Sequence, residues 1–173
     1  MISVILAILL ISLWLSPAYA ITNTNELAIK NIKQTKAGVS EYFVTIQYCK
    51  VDTKPQPVGI VVNSVIGKNV IAIDPSSKSG KCSPYVAKIN AEKTSNITTK
   101  LFYEHEVDDL AKQFEQRLAD LEEKRVKSHQ QLRAEKSSLD ADLNKIENIE
   151  KNIKKLDQSI ANSKESIRIL RTL

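Results

Sequence analysis

The chain has 173 residues, a net charge of +5, two histidines, two cysteines and only four glycines. So few histidines leave little for metal or acid–base chemistry, and no glycine stands in a G-x-G-x-x-G or G-x-x-x-x-G-K-S/T frame, which excludes a sequence-encoded phosphate loop. Charge is uneven: residues 21–103 hold 11 Lys, no Arg and 5 acidic residues, a net +6, whereas residues 104–173 sum to −1.

Residues 1–20 read as a signal peptide. An apolar run from Val4 to Ile11 is followed by Pro17 and by Ala18-Tyr19-Ala20, whose small residues fit cleavage before Ile21. The segment Met1-Ile2-Ser3 lacks Lys and Arg, so the alternative is an uncleaved membrane anchor. Either reading places residues 21–173 outside the cytoplasm, secreted or in the cell envelope. A membrane contact is expected only if the leader is retained.

Residues 21–103 read as a small antiparallel β-sandwich. Leu27, Ile29 and Ile32 mark a first strand. Tyr42, Val44, Ile46 and Tyr48 alternate with Phe43, Thr45, Gln47 and Cys49, the period of two of a half-buried strand. Lys54-Pro55-Gln56-Pro57 breaks the pattern. Val58–Val65 and Val70–Ile73 are β-branched runs joined through Gly67-Lys68-Asn69, a hairpin by their spacing. With Tyr85–Ala91 and Ile97–Tyr103 the count reaches about six short strands, for which an immunoglobulin-like topology is the commonest small solution. The Trp of antibody domains is missing, since Trp14 lies in the leader.

The two cysteines of an exported chain permit one pairing, and a Cys49–Cys82 disulfide is expected, holding the 50–81 hairpin onto the preceding strand. No Cys-x-x-Cys pair and no His within 21–103 point to redox or nucleophilic chemistry. Asn96-Ile97-Thr98 fits the N-glycosylation acceptor pattern. Scattered lysines without arginine argue against nucleic acid as a partner.

Residues 104–173 contain neither Gly nor Pro and repeat apolar residues at spacings of four and three. Helix follows, and the narrow stripe indicates a coiled coil. Its seam is Phe114, Leu118, Leu121, Leu132, Leu139, Ile146, Ile149, Ile153, Leu156, Ile160, Ile167 and Leu170. Arg125, Ser128, Glu135 and Asp142 interrupt it. A continuous helix about 100 Å long is the favoured reading, with its seam buried in a homo-oligomer or against an envelope protein. The alternative is a hairpin turning at Ser137-Ser138, with Ser137 capping the second helix and Leu121 opposite Ile153, Phe114 opposite Ile160 and Val107 opposite Ile167. Glu104, His105, Glu106, Asp108 and Asp109 crowd the helix start. His105 and Asp109 share a face but fall short of the three or four ligands zinc needs, so neither metal nor cofactor is expected.

The sequence therefore indicates a non-enzymatic exported structural or interaction protein, its β-domain presenting a surface and its coiled coil mediating oligomerisation or docking. Two alternatives remain. An adhesive or carbohydrate-binding module would place Tyr42, Tyr48 and Tyr85 on one exposed face. An exported enzyme would bring Asp52, Asp74 and Glu92 around one pocket.

Overall fold

A computed structural model describes residues 25–34, 41–52 and 54–173, so the leader lies outside the described residues. Two three-stranded antiparallel sheets are followed by two helices. β1 (Glu26–Gln34), β2 (Glu41–Cys49) and β5 (Cys82–Asn90) form one sheet in the order β1-β2-β5. The other, β4-β3-β6, is built from β3 (Pro57–Asn63), β4 (Lys68–Ala72) and β6 (Thr98–Tyr103).

Alternation fixes which side chains enter the core between the sheets. Val44, Ile46 and Tyr48 of β2 meet Ile60 and Val62 of β3, with Ala87 and Ile89 of β5 beside them. In β1, a bulge between Ile29 and Asn31 inserts one residue, so that Leu27, Ile29 and Ile32 all pack inward despite their uneven spacing. The unbroken run Val58–Val62 has a different cause. β3 is the central strand of its sheet and is buried on both faces, Ile60 and Val62 toward one layer and Val61 toward another. Gly59 is required there, because a Cβ would collide with the Phe102 ring and the Ile71 carbonyl.

The other layer is helical. α1 (Val107–Lys136) and α2 (Leu143–Leu170) are separate helices, so the single continuous helix is not what forms. They lie antiparallel, as shown by ion pairs Glu122–Lys164 at 3.0 Å, Arg125–Asp157 at 2.6 Å and Lys136–Glu150 at 2.8 Å. At the root of the hairpin, Phe114 and Leu170 pack with Val61, Val70 and Phe102 on the outer face of the β4-β3-β6 sheet. Burying side chains of this size stabilises by about 2 kcal/mol each. Sheet, sheet and helical hairpin thus stack as three layers.

The turn explains why two helices form. Ser137 ends α1, its Oγ donating to the Arg133 carbonyl at 2.9 Å, instead of starting α2. Asp142 is the cap that starts α2, accepting from the backbone N–H groups of Asn144 at 2.8 Å and Lys145 at 3.2 Å. The connection is therefore several residues long, and the pairing slides about one heptad from a turn centred on Ser137-Ser138. Leu139 is a second correction: it sits in the turn and is fully exposed, so it is no seam residue. The other eleven seam positions are buried or half-buried.

Candidate functional site

Among the described residues, the hairpin is held to the β-layers at its root. Ser166, fully buried in α2, donates to Asn69 Oδ1 at 2.9 Å and accepts from the Val70 N–H at 3.1 Å, tying α2 to β4. Lys68 Nζ donates to Gln113 Oε1 at 3.2 Å and lies 5.2 Å over the Phe114 ring. Burial lowers the Lys68 pKa, and the nearby Arg117 and Lys100 charges lower it further. Arg117 Nη2 donates to the Ile66 carbonyl at 2.6 Å, and Asn90 Nδ2 donates to Ser159 Oγ at 2.8 Å. Beyond Arg117, α1 continues about 28 Å to its end at 1.5 Å per residue.

Polar interruptions in the heptad pattern are what join the two helices in this outer part. Arg125 pairs with Asp157. Asn152 Nδ2 donates to buried Ser128 Oγ at 3.3 Å, and Glu135 pairs with Lys145 at 2.5 Å while accepting the Asp142 N–H at 3.2 Å. The Lys145 hydrogen bond, and after it the bond from the Asp142 backbone N–H, hold the Glu135 carboxyl below its ordinary pKa. The outer surface nevertheless leaves apolar groups uncovered: Val126, 56% exposed, and at the tip Leu139 at 104% and Leu143 at 79%. Lone exposed leucines are ordinary, but two beside one turn at the end of an arm form a shared apolar point.

The remaining candidate residues are dispersed. Cys49 and Cys82 are bonded at an Sγ–Sγ distance of 2.05 Å and stand directly opposite each other in β2 and β5, so the bridge joins two strands of one sheet. Asn96 ends the 3-10 turn Thr94–Asn96 and is half-buried, with Ile97 beside it in the core. Tyr48 is buried, its hydroxyl donating to Asn25 Oδ1 at 3.0 Å, while Tyr42 and Tyr85 pack against the same core, so the three make no exposed platform. Asp52 and Asp74 lie near the Cys82 end of β5 and Glu92 lies past its other end. The ends of this nine-residue strand are eight steps apart, about 26 Å at 3.3 Å per step, which precludes a shared pocket. His105 stacks on Tyr103 with ring centroids 6.1 Å apart, and Glu106 caps its own turn through the Tyr103 N–H at 2.9 Å. Among the described residues no three His, Cys, Asp or Glu side chains form a metal-sized group, and no helix is long and apolar enough to cross a membrane.

Comparison with protein families, curated proteins and solved structures found no match.

Proposed function

We propose that the protein is an extracytoplasmic, non-enzymatic docking protein in which a β-sandwich of immunoglobulin-like topology anchors an antiparallel coiled-coil arm whose tip engages an envelope partner. The strand orders β1-β2-β5 and β4-β3-β6, with the chain changing sheets between β2 and β3, β4 and β5, and β5 and β6, support that topology without its last strand. The disulfide is compatible with an oxidising compartment. The carrying observation is that α1 and α2 bury the seam against each other while Leu139 and Leu143 stay uncovered at the far end. A seam occupied within the chain has no need of a second copy, so docking is the better reading than oligomerisation. The β-domain surface around Phe43 and Val86, 43% and 59% exposed, is the second candidate for contact.

Site-specific photo-crosslinking in the native compartment tests this reading. A crosslinker at position 139 should give one discrete adduct with another protein, lost when Leu143→Asp is added, whereas a crosslinker at position 43 should give none. Adducts from position 43 alone, or none from position 139, would overturn the tip as the docking point.

A further inference from the structure

The helical hairpin covers the outer face of β4-β3-β6, but among the described residues no layer covers the outer face of β1-β2-β5. The pairing register orders that face into rows running across the three strands. Lys33, Phe43 and Lys88 stand side by side in one row, and Asn31, Thr45 and Val86 in the next. Phe43 and Val86 are diagonal neighbours on adjacent strands, close enough to share one apolar spot. Both leave much of their surface in water, Phe43 on the central strand and Val86 beside it.

The charges around that spot are mainly positive. Lys33 is exposed and forms no ion pair among the described residues. Lys88 pairs with Glu41 at 2.8 Å yet stays 48% exposed, and an ammonium has three donors, of which that bond takes one. Glu41 is buried, its side chain 3% exposed, so it presents no carboxylate to a ligand. Glu26, the other acid of the face, lies opposite Cys49, six residues along β2 from Phe43 and about 20 Å away at 3.3 Å per residue. Lys30, exposed at the β1 bulge, adds a further positive charge. An excess of lysine calls for an anion. Phe43 sits within the central strand of a sheet and not on a projecting loop that could enter a bilayer, and Asn31 and Thr45 beside it offer partners for hydroxyls. A sugar ring fits that setting better than a lipid headgroup. Adjacent strands lie about 4.8 Å apart, close to the length of one sugar in an extended chain, so a chain crossing the strands sets one sugar over each of Lys33, Phe43 and Lys88.

We propose that this face binds an extended polysaccharide in which uronates alternate with neutral sugars, the neutral ring on Phe43 and the flanking carboxylates on Lys33 and Lys88. The surface is separate from the hairpin tip, and binding to it requires no partner there. Calorimetric titration of the mature chain in about 0.15 M salt, which screens non-specific attraction, tests it. Hyaluronate, whose uronates alternate with neutral sugars, should bind. Polygalacturonate, which sets a carboxylate over Phe43, should bind severalfold more weakly, and uncharged dextran at least about tenfold more weakly. Phe43→Ala should weaken hyaluronate binding about tenfold and Lys33→Gln about threefold. Lys112→Gln, the same charge change at an exposed position of α1, should leave it unchanged. Absence of heat with hyaluronate up to about 10 mM disaccharide would overturn the site. So would equal losses in Lys112→Gln and Lys33→Gln, or Lys33→Gln and a folded Phe43→Ala both binding like the parent. Polygalacturonate binding as tightly as hyaluronate would overturn the alternating pattern, and tighter binding to phosphatidylglycerol vesicles would make the face a lipid surface instead.

Discussion

At the scale of single residues, environment decides what each side chain does. Tyr48 is 1% exposed, and burial, reinforced by neighbouring Tyr85 and Tyr103, pushes its phenol from an ordinary 10.0 up to about 12. The folded state thus favours the neutral phenol. This contribution to stability is complete below pH 10 and is lost as pH rises toward 12. Ultraviolet titration of the folded chain should show a last phenolate step at about 12 that Tyr48→Phe removes. A step at 10 in its place would mean the ring is hydrated. Asp142 is the residue on which the architecture turns, because its side chain satisfies two N–H groups at the start of α2. Asp142→Ala should cost about 1 kcal/mol, read as a lower thermal midpoint, whereas Asp142→Asn should restore most of it.

At the scale of elements, the strands were legible from period two and from Gly and Pro punctuation, and both helices from the heptad stripe. The break between them was legible only as the second reading, a hairpin turning at Ser137-Ser138, and the residue that starts α2 is Asp142, not Ser137. Ser137, Ser138, Asp140 and Asp142 are weak breakers by propensity, so their caps act together with tertiary contacts: Glu135 with Lys145 across the turn, and Phe114 and Leu170 against the sheet. The polar seam residues that weaken an extended coil strengthen a hairpin, because Arg125 and Ser128 find partners in Asp157 and Asn152. The burial of Asn90 under α2 was illegible for a related reason. Nothing in its local pattern tells that α2 will cover it. Ile153, 8% exposed in α2, provides the test of the seam. Ile153→Asp should lower stability by more than about 3 kcal/mol by burying an unpaired carboxylate. Leu139→Asp, at a fully exposed position, should change it by less than about 0.5 kcal/mol. Equal losses in the two variants, by chemical denaturation, would mean that the tip is covered.

At the scale of the whole molecule, three layers share two cores, one between the sheets and one between the β4-β3-β6 sheet and the hairpin root. The Cys49–Cys82 bridge closes a separation of 33 residues containing β3 and β4, and in the chain-entropy account it stabilises by about 3 to 4 kcal/mol. Unreduced protein should show no free thiol, and Cys49→Ser with Cys82→Ser should fold with a midpoint many degrees lower. Two titratable thiols in protein taken from its native compartment would contradict the bridge. The central claim is that one chain folds its helical region back on itself to make an arm. Glu122 and Lys164 stand 3.0 Å apart in the hairpin, whereas in a continuous helix about 63 Å would separate them at 1.5 Å per residue. Zero-length carbodiimide coupling of mixed light and isotope-labelled chains, followed by mass spectrometry, should yield a Glu122–Lys164 linkage within single chains and no mixed-isotope product. A linkage found only between chains, or no linkage at all, would contradict the hairpin and with it the arm.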